Sequence, residues 1–407
     1  MKKTLWTKNF TLVTAASALG AVGGIAGGFA LSFLVFDETG STFAAALLIA
    51  IRIVPGFFLP LIAGPILDRL PRKAFLVGGD AVGGALYALM GLYLLKFEFS
   101  YAAYLGYSLL LACLESFDEL AFQSIYPKLI PDGMEQQGYA VSTTLYPILR
   151  VLMLPLAGVL LDAVGAAWIL IGQGGLSLLA ALIESNIDIT EHRREGGEKL
   201  FTLRQWRADI KEAAEYLKNE RGVTGIFSYM AVTNGVASGY SSILVAFFRT
   251  FPGFTAAMYS LFSVFEFAGR TLGGAVQYKL KIAKEKKFGF TFLVYQIYEL
   301  MDMCLLWLPY PLMLANRALV GFLGANSATM RQAAMQTYIP EELRARLNAF
   351  QNMLITAASG LFALIIGALG EVLDYRLCVT ICGATAFIAA WLLVWRRRAD
   401  VRKIFEK

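Results

Sequence analysis

The feature that most constrains this chain is a rhythm of long apolar runs, each about the length needed to cross a bilayer, divided by short polar breaks. A membrane-spanning helix needs about 20 mostly apolar residues. Runs of that kind lie near 10–36, 43–66, 74–95, 101–126, 138–162, 164–186, 222–248, 255–278, 288–309, 311–336, 345–370 and 374–395. They predict an all-α integral membrane protein with twelve transmembrane helices. Short connections such as Pro309-Tyr310-Pro311 imply tight antiparallel pairs. Composition excludes the soluble alternative. Hydrophobic residues make up 57% and charged residues 16% of the chain, against roughly 45–50% and about 25% in soluble domains; the mean hydropathy is +0.59. The basic start Met1-Lys2-Lys3 resembles that of a signal peptide, but the apolar run after it is too long for a cleaved one, so an uncleaved first helix is expected.

The long polar stretch is 187–221. Its residues 203–217 place Leu203, Trp206, Ile210, Ala213, Ala214 and Leu217 on one helical face, the pattern of an amphipathic helix at the membrane surface. Basic residues set the orientation. The stretch holds Arg193, Arg194, Lys199, Arg204, Arg207, Lys211, Lys218 and Arg221, whereas the loops of the opposite side hold only Lys96, Arg249 and Arg376. By the positive-inside rule both termini are cytoplasmic. The net charge of +6 follows from this asymmetry, favours anionic lipid headgroups and requires no nucleic-acid partner.

An internal repeat is visible. An offset of 209 maps Gly64 onto Gly273, Pro131 onto Pro340, Gly158 onto Gly367 and Asp162 onto Glu371. It predicts two pseudo-symmetric six-helix bundles, 1–186 and 222–407, joined by the linker 187–221. Transporters built this way hold their substrate near the midplane, between the repeats.

The loop Gly64-Pro65-Ile66-Leu67-Asp68-Arg69-Leu70-Pro71-Arg72-Lys73 resembles the signature of the major facilitator superfamily, with Pro71 where the family usually has Gly. Within it the chain looks most like the drug:proton antiporter branch that includes macrolide and siderophore exporters. The residues carrying that likeness are Asp37-Glu38-Thr39-Gly40-Ser41, Pro127-Lys128-Leu129-Ile130-Pro131 and the kink Pro155 to Gly158; the arginine many members carry early in helix four is replaced near Leu111. The resemblance implies a gating role for Gly64, Asp68, Arg69, Arg72, Lys73, Pro155 and Gly158. It also implies a proton-coupled carrier of small molecules in a plasma membrane, bacterial and monomeric, with no cofactor.

Ionisable residues inside a membrane are costly and mark function by default. Helix four carries Glu115, Asp118 and Glu119, which share one face at i, i+3, i+4. Three carboxylates together repel, and relief by a proton is the chemistry of a proton antiporter; the structural alternative is a gate in which Asp118 or Glu119 meets Arg69 or Arg72. Arg52, ~14 Å into helix two, and Arg150 in helix five are positioned to pair with these acids, for substrate or for structure. Glu266 and Arg270 can satisfy each other on helix eight. Glu299 and Asp302 on helix nine are expected to contact helix eight or ten, through Arg270 or Arg317, rather than substrate, and Arg331, ending helix ten near the cytoplasm, to make a gate or headgroup contact. Asn234 and Tyr240, with Ser241, Asn316 and Asn326, supply neutral hydrogen-bonding groups. Phe117, Phe122, Tyr146, Tyr259, Phe262 and Phe265 offer aromatic walls. The glycines from Gly20 to Gly28 read as helix packing.

His192 is the lone histidine, and Cys113, Cys304, Cys378 and Cys382 form no CxxC pair, so neither a histidine relay nor a thiolate metal site is available. No protease, hydrolase or nucleotide-binding motif appears. The leading expectation is export of an amphipathic or cationic compound. The alternatives are a facilitator or importer of a small organic anion held by Arg52 and Arg150, and a non-transporting receptor.

Overall fold

The computed structural model describes residues 4–67, 71–131, 133–189, 203–279 and 282–406. Among them there is no strand, and thirteen α-helices follow in order. They are α1 (Lys8–Thr39), α2 (Thr42–Leu67), α3 (Arg72–Lys96), α4 (Tyr101–Leu129), α5 (Glu135–Ser185), α6 (Leu203–Asn219), α7 (Arg221–Thr250), α8 (Ala256–Lys279), α9 (Lys284–Cys304), α10 (Tyr310–Tyr338), α11 (Glu341–Gly370), α12 (Tyr375–Ala389) and α13 (Arg398–Glu406). Helix α5 is two passes in one. It breaks at Gly165, whose φ of 82° is a left-handed conformation that only glycine adopts without strain, and the break falls just inside the second of two predicted spans, 164–186, two residues past the expected gap. A π-helical stretch, Ala390–Trp395, prolongs α12. With α5 counted twice and the amphipathic α6 and α13 set aside, the passes number twelve.

Seven helices have the length and apolarity to cross a bilayer on their own: α1, α3, α5, α7, α9 (with the turn that follows it), α11 and α12 with its extension. Helices α4, α8 and α10 do not meet that measure, and they carry Glu115, Asp118 and Glu119, Glu266 and Arg270, and Arg317 and Arg331. Part of that charge is paired: Glu115 with Arg52, Glu266 with Arg270 and Arg317 with Asp302.

The described chain forms two compact units. Unit 1 comprises residues 1–40, 51–201 and 253–260; unit 2 comprises 41–50, 202–252 and 261–407. In unit 1 the second pass of α5 lies between α1 and α3. Gly23 and Gly27 of α1 face Gln173, and Gly84 and Gly91 of α3 face the backbone of Gly174 and Ala167, so the absence of side chains allows the approach. The start of α1 is tied down by Lys8, whose Nζ lies 2.6 Å from Asp188. That hydrogen bond and charge hold the Asp188 carboxyl below the usual range. The contact is therefore complete at neutral pH and is lost as pH falls below about 4.

In unit 2, α7 packs on α11 and α12, α9 on α10 and α12, and α13 folds back onto α7 and α9 with Val401, Ile404 and Phe405 buried. Helix α6 is held by Leu217 in the core and by Arg346, whose Nη1 lies 2.5 Å from Glu212. The amphipathic helix read from sequence is thus present, and its lower end packs on protein. Helices α8 and α10 cross at their glycines: a Cβ on Gly269 would collide with the Ala318 carbonyl, and one on Gly321 with the Glu266 carbonyl. Gly269→Ala is expected to cost about 1–3 kcal/mol, the usual effect of overpacking, and to lower the thermal unfolding midpoint in detergent. A midpoint equal to wild type would show that the crossing is not tight.

The repeat found in the sequence reappears as equivalent contacts. In unit 1, Gly158 faces Ala256 and Ala257, and Asp162 accepts a hydrogen bond from the Ala257 backbone at the start of α8 (3.4 Å). In unit 2, Gly367 faces Thr42, Phe43 and Ala46, and Glu371 accepts from the Phe43 backbone at the start of α2 (2.8 Å). Each acid sits at the positive end of a helix dipole, where a carboxylate is stabilised.

Candidate functional sites

Among the described residues each unit holds a cavity lined by carboxylates. The cavity of unit 1 has a volume of about 550 Å³ and takes Asp80 from α3, Glu115, Asp118 and Glu119 from α4, and Glu184 from α5. No lysine, arginine or histidine is among its lining residues. Phe122, Tyr126 and Tyr146 supply aromatic wall, and Gly20 and Gly24 of α1 leave it open, with nothing within 4 Å of where a Cβ would stand. The α1 glycines therefore serve two purposes, close packing at Gly23 and Gly27 and cavity space at Gly20 and Gly24.

The three α4 acids are not equivalent. Glu115 is engaged: Arg52 Nη2 donates to both of its oxygens, at 2.9 and 2.8 Å, and the Tyr87 hydroxyl donates to Oε1 at 3.1 Å. Glu119 accepts from Gln123 at 3.1 Å. Asp118 is different, because its Oδ1 is buried with no hydrogen-bond partner among the described residues. It lies where α3 comes closest: a Cβ on Gly79 would stand 3.2 Å from Asp118 Cβ, and Asp80 follows directly. Glu184, 3% exposed, likewise has an unpartnered Oε2.

Sequence reasoning singled out neither Asp80 nor Glu184. The available signal was the one used for α4, an acid inside an apolar run. Of the two arginines expected to pair with the α4 acids, Arg52 does so. Arg150 is exposed and forms no ion pair among the described residues. Of the gating residues, Asp68 and Arg69 lie outside the described residues, as does His192. Helix α2 runs through Gly64, Arg72 opens α3, and Lys73 donates to the Ser185 carbonyl at 2.7 Å. Pro155 lies within α5, one turn before Gly158.

The cavity of unit 2 has a volume of about 380 Å³. Helix α7 contributes Tyr229, Asn234 and Tyr240; α8 contributes Glu266 and Arg270; α10 contributes Arg331. Helix α9 contributes Tyr295, Tyr298, Glu299 and Asp302, which share one face at i, i+3, i+4, i+7. Arg270 holds Glu266 at 2.6 Å. Arg317, itself buried, holds Asp302 in a direct ion pair and donates to Asn316 at 2.9 Å. The expected partnerships of Arg270 and Arg317 are thus present. The expectation that Glu299 meets helix eight or ten is corrected: its hydrogen bond comes from Tyr229 of α7. Arg331 lines the cavity. Asn316 and Asn326 do not, since they bond the Met301 and Phe322 carbonyls. Tyr259 packs on Phe29 and Phe33, Phe262 on Phe248 and Tyr310, and Phe117 on Phe75.

Residues 10–295 and 300–406 match the family model described as the Major Facilitator Superfamily. No curated protein matches the chain. Among solved structures the fold is similar to that of the nucleoside transporter NupG, with a TM-score of 0.71 and 12% identity over 95% of this chain and 99% of that one. It is similar to a POT peptide transporter in complex with alafosfalin, with a TM-score of 0.73 and 12% identity over 100% and 98%. A bacterial homologue of the human lysosomal transporter Spinster, inward-facing and unoccupied, gives 0.66 and 13% over 97% and 96%. At these identities the likeness is one of fold.

Proposed function

Because the chain belongs to the major facilitator superfamily, we propose that it is a secondary transporter that exports an amphipathic or cationic organic compound in exchange for protons. It works as a monomer in the plasma membrane, with both termini cytoplasmic and the loop from Gly64 to Lys73 and the Pro155–Gly158 kink serving the conformational switch. The observation that carries this reading is the unit 1 cavity: among the described residues it has five lining carboxylates, no lining cation, and oxygens on Asp118 and Glu184 without a hydrogen-bond partner. A buried carboxylate without a partner costs several kcal/mol. A proton or a ligand cation each removes that cost, so one can displace the other, which is the essence of antiport. The aromatic walls suit an apolar body and add cation–π attraction. The rival reading, a facilitator of an organic anion held by Arg52 and Arg150, has less support, because the Arg52 guanidinium is occupied by Glu115.

Everted membrane vesicles energised by respiration test the proposal. An amphipathic cationic dye such as ethidium is expected to accumulate inside them, to release protons on addition and to leave when a protonophore is added. Dye movement that ignores the proton gradient would replace antiport with facilitated diffusion.

A further inference from the structure

The cavity of unit 2 leaves one acid and one base without an ionic partner. Glu266 is taken by Arg270 and Asp302 by Arg317. Glu299 accepts from the Tyr229 hydroxyl at 3.2 Å, Arg331 donates to the Tyr295 hydroxyl at 3.2 Å, and neither forms an ion pair among the described residues. Glu299 is 3% exposed and lines the cavity, so its carboxyl group faces this space rather than bulk water. The rings of Tyr229 and Tyr295 pack with centroids 4.6 Å apart. Two adjacent phenols thus present a carboxylate at one hydroxyl and a guanidinium at the other.

We propose that this cavity binds a compact amphiphilic zwitterion, with its ammonium group at Glu299 and its carboxylate at Arg331. A guanidinium presents a planar fork of donors matched to a carboxylate. The tyrosine faces attract an ammonium and cover an apolar body. The volume, about 380 Å³, is at the small end of ligand pockets and favours a molecule of amino-acid or dipeptide size. Selectivity follows from the same pairing, because a ligand lacking either charge leaves the opposite side chain desolvated and unmatched. The proposal goes beyond the transport reading: it places a ligand site in unit 2, whose lining residues differ from those of the unit 1 cavity.

Its test is equilibrium binding to the purified full-length protein in detergent. The probes are L-phenylalanine and L-leucyl-L-phenylalanine, each beside its C-terminal amide and its N-acetyl derivative. At least one zwitterion is expected to bind tenfold or more tighter than both of its own derivatives. Glu299→Gln should erase the preference over the N-acetyl derivative, and Arg331→Gln the preference over the amide. Should Glu299→Gln fail to fold, the Arg331→Gln comparison decides alone. Zwitterions that bind no tighter than their derivatives, or variants that keep the preferences, overturn the proposal. Loss of proton drive in vesicles with the preference intact would sink antiport and spare this site, and the reverse pattern would sink the site alone.

Discussion

Asp118→Asn is expected to reduce gradient-driven accumulation in everted vesicles to background while leaving downhill dye movement in place. Asparagine keeps the volume and the hydrogen-bonding capacity of the side chain and removes its ability to exchange a proton. The groups facing Asp118 are Asp80 from α3, Glu115 and Glu119 from its own helix, and Glu184 from α5. Among the α4 acids, Glu115 is already neutralised by Arg52, and Glu119 is exposed and bonded to Gln123. Asp118 alone of the three has a buried oxygen without a partner among the described residues. Glu119→Gln should therefore leave coupling nearly intact. Glu115→Gln should act indirectly, by releasing the Arg52 guanidinium toward Asp118. Full proton-driven transport by Asp118→Asn would move the coupling site to Asp80 or Glu184.

The second large effect lies in unit 2. Arg317→Leu leaves Asp302 as an uncompensated buried charge and is expected to cost about 3–5 kcal/mol, enough to remove most of the folded protein. Arg317 is 2% exposed; it bonds Asp302 on α9 and Asn316 on its own helix, and Asn316 returns to the Met301 carbonyl of α9. The pair therefore anchors a small network between α9 and α10. Replacing both partners, as Asp302→Asn with Arg317→Leu, should recover much of the loss, because removing both charges leaves neither unpaired. Size-exclusion profiles and thermal midpoints in detergent measure both variants. A single variant with a wild-type profile would show that the pair holds nothing together.

Most passes were readable because a bilayer imposes a length and an apolarity on a crossing, and α1, α3, α5, α7, α9, α11 and α12 obey both even where α5 runs through its break at Gly165. Contacts within one helix were readable for the same reason: Glu266 and Arg270 are four residues apart, and helical geometry alone brings them together. The Asp302–Arg317 pair joins neighbouring helices through a short turn and was also within reach. What escaped was rotation. Asp80, Glu184 and the Asp118 they surround come from three helices, and whether their faces converge depends on the close approach permitted by Gly79, Gly84 and Gly91. Arg150 was misplaced for the same reason. Helix α13 was hidden in a basic tail whose buried residues, Val401, Ile404 and Phe405, are too few to announce a helix.

The fifteen-residue separation of Asp302 and Arg317 also bears on how the protein is made. A charged residue at the centre of a lone helix disfavours insertion by about 2.5–3.5 kcal/mol, and α9 carries Glu299 as well as Asp302. The 3₁₀ turn Leu305–Trp307 and Pro309 fold α10 back at once, so the opposite charge arrives as soon as the next helix is synthesised. The two helices are then best delivered to the lipid together, as a neutral hairpin, and a ribosome paused between them would leave α9 stranded at the translocation channel.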